Sequence, residues 1–158
     1  MDDLAIARAL HVLGVVIWIG GVAMVTSVLL PALRGDTEQT DRARAFERLE
    51  RRFAVQARIA TLLVGATGFF MTARMDAWDR FASASFWWMH AMVFVWLLFT
   101  IVLFVAEPLF LHRLFERWAR EAPEAAFAWL HRAHWVVLTL SLLTVFGAVA
   151  GSHGWSPF

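Results

Sequence analysis

The sequence predicts an all-α, polytopic membrane protein, an up-down bundle of four transmembrane helices with both termini on the outer, periplasmic side. Three observations carry that prediction. The chain has 158 residues of which 60% are hydrophobic, above the roughly 45–50% apolar share of an ordinary soluble domain. Its charges are gathered into short stretches that separate long uncharged runs. Its Arg residues crowd the two loops that fall on one side of such a bundle.

The runs come first. Ala9 to Leu33, Phe81 to Ala106 and Ala133 to Phe158 contain no Asp, Glu, Lys or Arg. Each exceeds the ~20 residues that cross a hydrocarbon layer ~30 Å thick. A fourth run, Phe53 to Ala73, carries Arg58 near one end, from where a guanidinium can snorkel to the interface. Backbone groups in lipid must be satisfied within the segment, so all four runs are expected as helices. The predicted spans are 4–33, 53–74, 83–112 and 131–152, within one domain over 1–158. A signal peptide needs a basic start and a short apolar core; Met1-Asp2-Asp3 and a long first run predict a retained helix instead.

Orientation follows from the basic residues, all of which are Arg. Arg34, Arg42, Arg44, Arg48, Arg51 and Arg52 lie between the first two spans, and Arg113, Arg117, Arg120 and Arg132 between the last two. The other side holds Arg8, Arg74 and Arg80. Cytoplasmic loops carry the excess of basic residues, which places the termini outside; the use of Arg alone fits a GC-rich bacterial genome and so an inner, cytoplasmic membrane. Trp78, Trp87, Trp88 and Trp155 then form the outer aromatic belt. In the first loop, Ala43, Phe46, Leu49 and Phe53 recur every three or four residues, predicting a cytosolic helical extension over 40–52. Asp36 followed by Gln39 is a capping pattern for an earlier start.

Composition also excludes chemistry. The net charge is +1, with no basic surface of the kind nucleic acid requires. The absence of Cys removes disulfides, thiolate zinc, iron–sulfur clusters and thioether-linked haem. The absence of Tyr removes a tyrosyl radical and a Tyr haem ligand. A metal must be held by His, Met, carboxylate or backbone groups.

Polar residues are expensive in a bilayer, so they are the informative ones. His11 and His90 each fall about two turns below the outer ends of their helices, ~7–10 Å at 1.5 Å per residue. Facing imidazoles at one depth can grip haem b axially; simple interhelical hydrogen bonding fits them equally. His112 is ~33 Å along the helix from His90 and cannot share its iron. His131 and His134 open the fourth helix near His112, where a second haem or metal is conceivable, and His153 is a reserve outer ligand. Gly14 and Trp18 share the His11 face and are expected to line the pocket. Arg8, one turn above, suits a haem propionate or a lipid phosphate. Met71 and Met75, and Met89 and Met92 around His90, suit Cu(I) or ordinary apolar filling. Arg58 and Glu107 lie at one depth and are expected to pair, with Pro108 ending or kinking the third helix. Gly147 and Gly151 form a small-xxx-small packing pair.

Leu10-His11, followed at Trp18 and then Gly20-Gly21, resembles the first helix of the CopD/HemJ group of membrane proteins. Arg51-Arg52-Phe53 entering a helix that ends near Thr67-Gly68 resembles the CopD second helix, and Trp88-Met89-His90 the third helix of HemJ-type proteins. The resemblance covers roughly the first two-thirds of the chain and implies a helical membrane domain that binds haem b. HemJ-type enzymes oxidise protoporphyrinogen with a first-helix His and a third-helix Lys near the haem. His11 matches the former, whereas Met92 stands where the Lys is expected and this chain has no Lys. CopD-type proteins are associated with copper uptake, usually on a longer domain.

These readings converge on an expectation of one haem b, with room for a second, held by His11 and His90 (or Met92) in the outer half. Such a cytochrome exchanges single electrons between a quinone or small oxidant and an outer-face carrier. Copper handling, a HemJ-like oxidase activity and a non-catalytic subunit are the alternatives. The expected partners are the lipid bilayer, an electron carrier, and either a second copy or a membrane complex.

Overall fold

The computed structural model describes residues 2–35 and 39–155, and among them every regular element is helical. Helix α1 (Asp2–Met24) runs through a π-helical stretch, Val25–Leu29, into α2 (Leu30–Gly35). Helix α3 covers Gln39–Arg74, and two short 3-10 turns, Trp78–Ala82 and Ala84–Phe86, lead to α4 (Trp87–Ile101). A second π-helical stretch, Val102–Leu111, carries α4 into α5 (His112–Glu121), and α6 spans Pro123–Ser152. Four helical stretches are long and apolar enough to cross a membrane: Asp3–Leu33, Arg52–Arg74, Ala84–Leu111 and Pro123–Ser152.

The ends have local causes. Helix α6 opens on Pro123, whose missing N–H costs nothing at a first helical position, with Glu124 in its first turn. That pair starts the helix well ahead of the apolar run beginning at Ala133. Helix α3 closes when Ala77 N–H reaches back 3.0 Å to Thr72 O around Asp76, held at φ 49°. Helix α6 closes in the same way, Trp155 N–H on Ala150 O at 3.1 Å around Gly154 at φ 86°. Helix α3 begins at Gln39, ahead of its apolar span at Arg52. The expected cap at Asp36 and the side chains of Ala43, Phe46 and Leu49 lie outside the described residues.

Neighbouring spans are antiparallel. Asp3 meets Arg74, His11 meets Thr67, and Gly21 meets Phe53, so numbering rises along α1 as it falls along α3. Arg58 meets Glu107 and Gly65 meets Trp96 between α3 and α4. Trp88 meets Gly151 at one end of α4 and α6, and Phe99 shares a core with Leu138 farther in. The first and third spans also touch across the middle, where Trp18 and Phe99 pack edge to face at 4.7 Å.

Lipid tails are as apolar as the side chains, so burial from water does not hold these helices together. Close fit does. A Cβ added to Gly21 would sit 2.0 Å from the Phe53 ring, to Gly65 2.7 Å from Trp96, to Gly147 2.3 Å from Trp87 and to Gly151 2.2 Å from Trp88. Each glycine is a notch filled by an aromatic ring from an adjacent helix. Gly147 and Gly151 are thus a packing pair, as their spacing suggested. Trp18, Val22, Ala57, Ala60, Val64, Val95, Phe99 and Leu138 fill the centre.

Candidate functional site

His11 lies in α1 with its ring against Gly68 of α3, where a Cβ would come within 3.4 Å of His11 Cε1. Its Nδ1 is 3.0 Å from Thr67 Oγ1. The Thr67 hydroxyl has one proton, and Leu63 O at 2.6 Å and Val64 O at 3.2 Å are both placed to accept it. With that proton on a carbonyl, the Thr67 oxygen accepts from His11 Nδ1 and the neutral ring has its lone pair on Nε2. The Val64 backbone is a further hydrogen-bond partner of the His11 ring. A ligating imidazole is commonly held this way, one nitrogen fixed so that the other can bind metal. From the sequence Thr67 is named only within the Thr67-Gly68 landmark of the second helix, with no role of its own. A Thr two turns from a helix end, with its hydroxyl returned to the backbone, carries no signal until the α1–α3 register is known.

The other predicted residues sort differently. Gly14 is buried against α3, where a Cβ would lie 2.8 Å from Val64 Cγ2. Trp18 is 3% exposed, packed on Phe99, with its indole N–H lacking a hydrogen-bond partner. His90 stands at the start of α4 with Nε2 3.0 Å from Phe81 O and Nδ1 3.3 Å from Phe86 O. Both carbonyls belong to the 3-10 turns, and Phe81 adds an edge-to-face contact at 5.4 Å. His90 thus staples the loop that precedes α4. Among the described residues no hydrogen bond or ring contact joins His90 to His11. Arg8 is exposed, Met92 is half-buried, Met89 is buried, and Met71 and Met75 lie at the Arg74 end of α3. His153 bonds back to Val149 O at 2.8 Å and His134 to Leu130 O at 2.9 Å, both within their own helix. The His112 side chain lies outside the described residues. No group of three or more His, Cys, Asp or Glu is placed to hold a metal ion among the described residues.

Of the two predicted axial ligands, His11 has one ring nitrogen on Thr67, while both ring nitrogens of His90 lie against loop carbonyls. For His90 to offer a lone pair to a metal, Nε2 would have to leave Phe81 O, with Nδ1–H kept on Phe86 O.

The opposite end of the bundle holds a different set of polar contacts. Arg58 donates through Nε to Leu103 O at 3.0 Å and pairs through Nη2 with Glu107 Oε1 at 3.2 Å. The expected ion pair is thus formed. His131 Nε2 lies 3.0 Å from Thr26 O and 3.0 Å from Trp135 Nε1. One nitrogen satisfies these partners one at a time: as N–H it donates to Thr26, and as a lone pair it accepts from Trp135.

Compared with protein-family models, curated proteins and solved structures, the chain matches none.

Proposed function

We propose that the protein is a membrane-embedded haem b protein with His11 as axial ligand in the outer half of the bundle. The observation that supports it is the 3.0 Å contact of His11 Nδ1 with Thr67 Oγ1, which leaves the Nε2 lone pair available inside a spanning helix pair when the Thr67 hydroxyl donates to its own helix. In this reading His90, with Nε2 freed from Phe81 O and Nδ1–H kept on Phe86 O, would supply the second ligand, and Arg8 lies a turn above His11 for a propionate. Bound haem b would supply single-electron transfer. Thr67 holds the His11 proton on Nδ1, and Trp18 packed on Phe99 separates the site from the far half of the membrane. The resemblance of the His11-to-Gly21 segment to the CopD/HemJ group supports the same cofactor, and the missing Lys argues for electron transfer over protoporphyrinogen oxidation. The Arg-rich ends face the cytoplasm and both termini face outward, in a bacterial inner membrane.

A second reading, a non-catalytic membrane subunit, is favoured by His90, whose ring is set between two loop carbonyls and can donate to either. Absorption spectra of the purified protein, oxidised and dithionite-reduced, with a pyridine haemochrome assay, separate the two. The haem reading expects a sharp Soret band that His11→Ala abolishes. A colourless protein made with ample haem supply rejects it in favour of the subunit.

A further inference from the structure

Each of the two π-helical stretches meets a proline, Pro31 just beyond the first and Pro108 within the second. In a π-helix each N–H reaches back five residues. Leu30 N–H bonds Val25 O, so the carbonyl of Thr26 loses its α-helical partner. Its π-helical partner would be residue 31, which is Pro31 and has no N–H. The third span repeats the arrangement. Within Val102–Leu111 the π register gives Glu107 N–H to Val102 O, and the next partner, for Leu103 O, would be Pro108. Each proline thus leaves the carbonyl five residues before it without a backbone donor. An unpaired carbonyl in a bilayer is costly.

Both carbonyls are met by a basic side chain from another span. Arg58 of α3 donates Nε–H to Leu103 O at 3.0 Å, and His131 of α6 places Nε2 3.0 Å from Thr26 O. Thr26 is fully buried, and its hydroxyl is spent on Val22 O at 2.7 Å, so it offers no local alternative. We infer that Arg58 and His131 are paired intramembrane latches, each replacing the N–H that a proline removes and thereby pinning a π-helical hinge to a neighbouring span. The first span is latched to the fourth and the third to the second, both in the half opposite His11. In this role the Arg58–Glu107 ion pair is secondary, because the carboxylate orients the guanidinium while the carbonyl is what needs it. The His131 latch closes only in the tautomer with hydrogen on Nε2; the other tautomer turns that nitrogen toward Trp135.

The test is a pair of double-mutant cycles on the full chain in detergent, read by thermal unfolding. In an E107Q background, which removes the ion pair, R58M is expected to lower the apparent Tm by about 4–10 °C. Adding P108A restores an amide for Leu103 O in either helical register, so R58M should then cost less than about a third as much. H131A and P31A should behave in the same way. Equal losses with and without the proline would overturn the inference. If R58M or H131A yields no folded protein, recovery of folded protein by the matching proline replacement supports it. Failure to recover overturns it.

Discussion

His11 Nδ1 and Thr67 Oγ1 lie 3.0 Å apart across the α1–α3 seam, and the Thr67 hydroxyl also has Leu63 O at 2.6 Å to donate to. With its proton there, Thr67 accepts from His11 Nδ1 and the lone pair of the ring stands on Nε2. The contact lies two turns from the Asp3–Arg74 pair that closes one end of the same seam.

Replacing Thr67 with Val keeps the shape and removes the acceptor. The His11 proton is then free to move to Nε2. Haem affinity is expected to fall about 10–100-fold, while Thr67→Ser keeps it. Haem titration of the purified apo-forms measures both, and an unchanged Thr67→Val affinity would show that Thr67 does not set the tautomer.

Neighbouring glycines give opposite expectations. Gly20 has nothing within 4 Å of an added Cβ, whereas Gly21 faces the Phe53 ring at 2.0 Å. Gly20→Ala should be neutral or slightly stabilising. Gly21→Ala should cost about 1–3 kcal/mol by overpacking. Gly65→Ala should cost as much and also move Trp96, whose indole donates to Thr61 O at 3.0 Å. Apparent Tm values of the three variants check the order.

The two ion pairs differ in setting. Asp3 and Arg74 are 45% and 56% exposed, and Glu107 and Arg58 are 26% and 33% exposed. Asp3→Asn should cost about 0–1 kcal/mol, with the difference fading in high salt. Glu107→Gln should cost more, on the order of 1–3 kcal/mol, and persist in salt. Unfolding at low and high ionic strength distinguishes them. Equal, salt-sensitive losses would place Arg58 and Glu107 at the aqueous surface.

Because the chain has no Cys, single introduced thiols report sidedness cleanly. Ser83→Cys, between the second and third spans, is expected to react with an impermeant maleimide added to intact cells. Ala122→Cys, between α5 and α6, should react only after the membrane is opened. The reverse pattern would invert the proposed orientation.

Much of the architecture is written in the order of residues. Uncharged runs longer than the bilayer is thick can only be helices there, so the four spans were legible from Ala9–Leu33, Phe53–Ala73, Phe81–Ala106 and Ala133–Phe158. The Arg58–Glu107 pair was legible too, because both residues lie at one depth and neither can stay unpaired cheaply. What a single chain position does not reveal is the azimuth of its side chain and the neighbour it meets. His11 and His90 share a depth, yet one turns to Thr67 and the other to the loop carbonyls of Phe81 and Phe86. Gly14 shares the His11 face in the sequence, and only the packed pair shows that Val64 of α3 lies against it. Pro108 announced a break in the hydrogen-bond ladder of the third helix, and the structure adds a second ahead of Pro31. Only the packed bundle decided that those breaks become π-helical turns and that Arg58 and His131 answer them, because a lost backbone bond is repaired by whatever donor the neighbouring helix brings within reach.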